Sequence, residues 1–297
     1  MLFPITFSIP EEKISKVALP KTKILSKIIP GEVYSFDNEI DYYNEYKSSY
    51  FAITKKKEGW DCLRHYEILA NNCIPYFLDI ENCPKNTMCF LPKDLFIEAN
   101  NLYDSTFKDK NINDLTDVEV NKYNILLKQL TEYLHKNLTT HKMALHILTN
   151  IIQSGMNIDK ILFLSGETYP DYLRCLTLHG FKTLFGSRCH DYPMIRHIYK
   201  SQNIDYSRLY GRGMTYTNLL DPNDHNNRLD DTIEDNIKNK YYDIIIYGSY
   251  HRGMPYYDLV CNIYKPNEII LLCGEDTHIC NNNEFLKKGH YVFVREP

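Results

Sequence analysis

Arg64 and Glu67 stand three residues apart, behind Lys55, Lys56 and Lys57, a glycine at position 59, and the pair Trp60-Asp61. On a helix that spacing places a guanidinium and a carboxylate on one face. A carboxylate such as Glu67 accepts charge-assisted hydrogen bonds from both hydroxyls of a ribose diol. The planar fork of Arg64 matches the oxygens of a diphosphate. A helix starting near Asp61, preceded by Gly59, would present unsatisfied N–H groups to the same anion, and Lys57 with its neighbours adds positive potential. The set therefore suits a nucleoside diphosphate. The plain alternative is an exposed helical ion pair worth about 0.3–0.5 kcal/mol. Trp60 either stacks on a base or sugar or staples the helix start.

A second group of reactive side chains lies in the last third of the chain: Arg188, His190 and Asp191, then His251 and Arg252, then Glu275, Asp276 and His278. His251, His190, Asp191 and Glu275 are the candidates for a base that takes a proton from an attacking hydroxyl. Arg188 and Arg252 could support a departing anion. The Gly-punctuated stretch Arg208–Pro222 could form a binding loop. No metal is expected. A zinc site from His190, His251 and His278 has no ligand spacing to support it, and Asp230-Asp231 does not make a metal motif.

These groups need elements to hold them. Ile5–Ile9 reads as an opening strand and Glu39–Lys47 as a helix. Tyr50–Thr54 is a strand, Asp61–Asn71 a helix capped near Asp61, and Cys73–Leu78 a strand. Leu63, Tyr66 and Ala70 form the helix's buried stripe, which leaves Arg64 and Glu67 outside the core. Asn71-Asn72 ends that helix, since Asn tolerates the left-handed conformation. Strands then stop; Val118–Leu138 repeats apolar residues with a helical period, and the polar stretch Phe107–Asp117 before it is the linker candidate. Short apolar runs follow at Lys160–Ser165, Lys182–Gly186, Asp243–Gly248 and Glu268–Gly274, as expected of strands buried on both faces of a parallel sheet. Each meets a glycine where such a sheet turns out toward a ligand, so the loops behind them would share one rim.

The segment from Tyr50 to Pro92 resembles the donor-binding half of exostosin-like glycosyltransferases. Tyr50-Phe51, Gly59, Arg64, Glu67, Cys73-Ile74-Pro75, Asp79 and Leu91-Pro92 follow that family's pattern in order, with Asn72 where the family usually has Gly. The resemblance implies two Rossmann-like α/β domains in the arrangement called GT-B, here with the donor-type half first. It implies transfer of a sugar from a nucleotide-diphosphate donor, uridine-linked, to a hydroxyl acceptor, with inversion and without a metal. Donor-binding residues would be Arg64, Glu67, Gly59, Trp60, Lys57 and Asp61.

Composition agrees with an enzyme of this kind and excludes others. With 297 residues, 43% hydrophobic and 24% charged, two domains are the natural division. Expected are residues 1–110 as donor domain, 111–155 as helical connector and 156–297 as a second Rossmann-like domain on the acceptor side, with the active cleft between. A net charge of −4 argues against general affinity for nucleic acid. No stretch offers the roughly 20 apolar residues of a membrane span, and no secretion signal opens the chain, so a cytoplasmic protein is expected. The nine cysteines lack zinc spacing and are expected to be reduced. Abundant Asn, Ile, Lys and Tyr suit an AT-rich genome, that of a large DNA virus among the candidates. Partners would be the donor and a glycan or other hydroxyl acceptor. The rival readings are a non-catalytic nucleotide- or sugar-binding module and a chain whose second half is a separate Rossmann enzyme.

Overall fold

The structure is a computed structural model that describes the chain except residues 33–35, 153–156, 168, 202 and 278–281. His278 thus lies outside the described residues. The elements are β1 (Leu2–Pro4), β2 (Lys23–Leu25), α1 (Glu39–Lys47), β3 (Ser49–Lys55), α2 (Leu63–Ala70), β4 (Ile74–Leu78), α3 (Lys93–Leu102), α4 (Asp117–Asn137) and α5 (Thr140–Ile151). There follow β5 (Ile161–Leu164), α6 (Tyr172–Phe185), β6 (Cys189–Tyr192), α7 (Asn227–Asp230), α8 (Ile233–Lys238), β7 (Ile244–Tyr247), α9 (Tyr257–Ile263), β8 (Ile269–Cys273), α10 (Asn283–Lys287) and β9 (Tyr291–Val294).

The class is α/β. A three-stranded sheet runs β2-β3-β4 and a six-stranded sheet runs β1-β9-β8-β7-β5-β6, with every pair of neighbours parallel. Strands β5, β7, β8 and β9 are apolar along their whole length and buried at every position. That is what a parallel sheet covered on both faces requires. Helix α4 opens with a capping box, in which Thr116 and Glu119 satisfy each other's backbone N–H groups. It buries Tyr123, Leu126, Leu130 and Leu134 along one stripe.

Four expectations are corrected. Lys182–Gly186 is the last turn of α6 with Gly186 as its cap at φ +58°. The strand is Cys189–Tyr192, because a short apolar run does not distinguish a buried helix turn from a strand. The N-terminal strand is Leu2–Pro4 and belongs to the larger sheet, paired to β9. Residues Phe107–Asp117 are no free linker: Phe107 is fully buried, and Asn111 and Asp114 close a capping box on a short 3-10 turn. Seven described cysteines are free thiols, whereas Cys273 is disulfide-bonded, which departs from the expectation of reduced cysteines throughout. No described helix is long and apolar enough to cross a membrane.

One hydrophobic cluster runs through both parts of the chain. It joins Phe51, Tyr66 and Phe77 around the small sheet to Ile161, Leu176, Ile270 and Phe293 of the large one. The α5–α6 contact belongs to this shared core, and Gly180 makes it possible: a Cβ there would lie 2.2 Å from the Thr140 carbonyl oxygen. Alanine in a helix interior ordinarily gains about 1 kcal/mol over glycine. Here the obstacle is backbone, which cannot rotate aside, and overpacking of this kind costs about 1–3 kcal/mol. Gly180→Ala is expected to lower the urea midpoint with an unchanged slope; a raised midpoint would contradict the close approach.

Candidate functional site

Strand β5 has β6 on one side and β7 on the other. The sheet therefore changes winding direction between β5 and β7, and the crevice at their carboxyl ends is where such sheets bind ligands. A single buried carboxylate organises it. Asp171 caps α6 by accepting the Arg174 N–H at 2.9 Å, and it also accepts the Ser249 hydroxyl at 2.7 Å and Arg252 Nε at 2.9 Å. Burial alone would raise its pKa. Arg174, the backbone N–H, Ser249 and Arg252 outweigh burial and hold the carboxyl below its usual value.

Helix α2 faces this crevice. All eight of its residues are buried, so Arg64 and Glu67 are not on an exposed face as the apolar stripe suggests. Elements packed around the helix cover its polar side as well. Glu67 accepts the Tyr42 hydroxyl at 2.7 Å and the Thr215 hydroxyl at 2.6 Å. Burial pushes its pKa up, against the pull of those hydroxyls and of Arg64. The helix cap is Cys62, which makes no side-chain cap bond. Asp61 is instead spent on structure, accepting the Phe7 N–H at 2.6 Å and the Tyr66 hydroxyl at 2.9 Å.

Between α2 and the crevice lies a cavity of about 540 Å³. From the first part of the chain Lys57, Asp61, Arg64 and Glu67 line it, and from the rim of the large sheet Asp171, Arg252, Glu275 and Asp276. Phe7, Tyr42, Tyr172 and Tyr210 supply aromatic wall. His251 stands behind that wall, with Nε2 2.6 Å from Glu275 Oε1 and 3.9 Å from Asp171 Oδ2. Burial lowers the His251 pKa, and the two carboxylates only partly oppose it. Neither ring nitrogen of His251 makes a hydrogen bond to the described residues, despite the nearness of Glu275.

The remaining expected site residues are elsewhere. Trp60 does not line the cavity; its ring stacks near Phe77 at 6.5 Å and Lys56 lies over it at 5.5 Å. Gly59 is also off the wall. A Cβ there would come within 2.7 Å of Glu296 Oε1, so glycine lets the loop lie against that carboxylate. His190 and Asp191 are not past a strand end but within β6, the edge strand, a direct result of the misplaced strand. Asp191 is engaged by Lys182 at 2.9 Å, Tyr199 at 2.7 Å and His225 at 3.1 Å. Arg188 pairs with Asp159 on the surface.

Sequence reasoning missed Asp171, although Pro170-Asp171 ahead of an apolar periodic run is a helix-start signal. It also missed Tyr42, Thr215, Arg295 and Glu296. The last two carry the wall between α2 and β8. Arg295, with no exposed surface, donates to the carbonyls of Asp61 and Gly274 and pairs with Asp276. Glu296 Oε1 accepts the Asp61 N–H at 2.9 Å. No protein-family model, curated protein or solved structure matches the chain.

Burial raises the Glu296 carboxyl from 4.5 to about 7, against the opposing pull of the Asp61 N–H and Arg295. The folded state thus holds this proton more tightly than the unfolded chain does. Its stabilising effect is complete below pH 4.5 and is lost as pH rises through about 7. Glu296→Gln keeps the acceptor oxygen and removes the titration. Denaturation curves at pH 4.5 and 8 should show wild type losing stability relative to Glu296→Gln across that interval; a constant difference would refute the assignment.

Proposed function

We propose that the chain is a glycosyltransferase that takes a sugar from a nucleotide-diphosphate donor, uridine-linked in the first instance, to a hydroxyl acceptor. The reading rests on one observation above others: Arg64, Glu67 and the uncapped start of α2 share a cavity with Arg252 and Glu275 from the rim of a parallel sheet. Its volume falls within the roughly 300–1,000 Å³ of small-molecule and cofactor sites. Carboxylates outnumber cations on the wall, which would repel a diphosphate if all were free. Asp171 is matched by Arg252 and Arg174, Asp276 by Arg295, and Asp61 is held by two donors. These contacts lessen the repulsion, and Lys57, Arg64 and Arg252 are the cations that line the cavity beside Glu58, Glu67 and Glu275.

In this reading Arg64 and the first N–H groups of α2 hold the diphosphate, with Lys57 at the mouth. Glu67 keeps lone pairs beyond the two that Tyr42 and Thr215 occupy, and these accept the ribose hydroxyls. Glu275, backed by His251, takes the acceptor proton as the acceptor oxygen attacks the anomeric carbon. The bond to the diphosphate oxygen breaks on the opposite face, with inversion, and Arg252 supports the departing charge. The step needs no metal. The arrangement is GT-B-like, with the donor side contributed by the earlier part of the chain.

Because Arg64 and Glu67 are buried, conservative variants test them better than alanine. Glu67→Gln and Arg64→Lys should keep a cooperative melt yet bind the preferred nucleotide roughly 10- to 150-fold more weakly, as loss of a hydrogen bond to a charged group implies. A thermal-shift screen over nucleotide sugars selects the ligand and calorimetry measures it. Wild-type affinity in both folded variants would sink the donor-site assignment. Donor binding without sugar transfer or donor hydrolysis would favour a binding module.

A further inference from the structure

At the free edge of the large sheet, away from the cavity wall, three buried polar side chains, His190, Asp191 and His225, meet the partly exposed Asp230. His190 is 1% exposed and His225 7%. Asp230, at the end of α7, presents one carboxylate oxygen to each imidazole: Oδ1 lies 3.1 Å from His190 Nε2, and Oδ2 lies 3.0 Å from His225 Nε2. The other nitrogen of His225, Nδ1, is 3.1 Å from Asp191 Oδ1. Asp191 is fully buried and already receives Lys182 and Tyr199.

The bonding leaves a specific deficit. Both ring nitrogens of His190 are buried without a hydrogen-bond partner, and so is Asp230 Oδ1, despite their closeness. Unpaired buried polar groups are costly, and a native structure with several together calls for a reason. With the His225 Nδ1–H donating to the buried Asp191 carboxylate, the lone pair of Nε2 would face Asp230. A carboxylate–histidine pair of this kind is the usual outer support of a metal-bound imidazole. One ligand atom from each of His190, His225 and Asp230 lies within 4.8 Å of the others. A tetrahedral ion with bonds near 2.0 Å needs ligand atoms about 3.3 Å apart, so the three side chains would draw together slightly around it.

We propose that His190, His225 and Asp230 form a binding site for a zinc-class divalent ion, with Asp191 orienting His225. Two imidazoles and one carboxylate suit such an ion better than a hard cation like magnesium. The ligands come from β6, from the loop ahead of α7 and from α7 itself. The ion would fasten the far end of the long segment between β6 and α7. That segment contains Tyr210, Gly211 and Met214 of the cavity wall, so the site is a latch for the wall. It does not depend on the transferase reading.

The competing arrangement is a proton in place of the ion, with His225 as an imidazolium between two carboxylates. Zinc titration separates them. The full chain, stripped with a chelator and titrated with zinc chloride in a calorimeter, should bind one equivalent with a dissociation constant on the order of 1 µM or tighter. Zinc should raise its melting temperature, and cobalt should give the visible absorption of a low-coordinate nitrogen–oxygen site. Asp230 is partly exposed, so Asp230→Asn should fold and bind at least about tenfold more weakly; His190→Gln should do the same. Absence of binding by folded wild type, or unchanged stoichiometry and affinity in both variants, would overturn the proposal. Unchanged binding in the variants would place the zinc on other histidines.

Discussion

A guanidinium cannot shed its proton, and one sealed from water must find its partners inside the protein. Arg295 is in that position. It sits at the end of β9 with the Phe7 ring 4.3 Å away and meets the Asp61 carbonyl, the Gly274 carbonyl and Asp276. These partners come from the loop before α2 and from the end of β8. Satisfying one charge therefore fixes how far helix α2 stands from the rim of the large sheet, which is the width of the cavity. Removing the guanidinium would take a donor from two carbonyls and the paired cation from half-exposed Asp276. Were Asp276 removed, Glu296 at 3.2 Å would remain as a carboxylate beside the buried charge.

Much of the frame was readable because it is local. Helix α1 follows the expected bounds, and Asn72 takes φ +55° at the foreseen helix stop. The helical period ahead of Leu138 gives α4, and the continuous apolar runs give β5, β7 and β8. Misreadings arose where local pattern is ambiguous or the decisive contact is distant. Leu184 and Phe185 ahead of Gly186 fit a strand as well as a helix turn, and moving that strand carried His190 and Asp191 to the wrong place. The site's other half was out of reach for a different reason. Thr215 meets Glu67 across 148 positions, and Asp61 meets Glu296 across 235. Nothing in the vicinity of either residue announces its partner.

The shared core also limits how the cavity can work. In many two-domain enzymes a cleft closes by rotation about a hinge, with little packing lost. Here a continuous hydrophobic cluster spans both sheets, and opening it would expose residues such as Tyr66 and Phe163 at about 25 cal/mol for each Å² of apolar surface. Adjustment around a ligand is more economical in the loop that holds Tyr210 and Gly211, where two consecutive residues, Gly211 and Arg212, take left-handed conformations.

The pairing of β1 with β9 sets an order of events during synthesis. Leu2, Phe3 and Pro4 are made some 290 residues before their partners Val292, Phe293 and Val294. At ordinary elongation rates that interval is roughly 15–60 s, long compared with the time in which helices or local hydrophobic contacts form. Until then Ile5 and Phe7, which are buried in the finished core, are an apolar segment without a sheet to join. The nascent chain must carry it in the open or lend it to a chaperone until β9 is made to receive it.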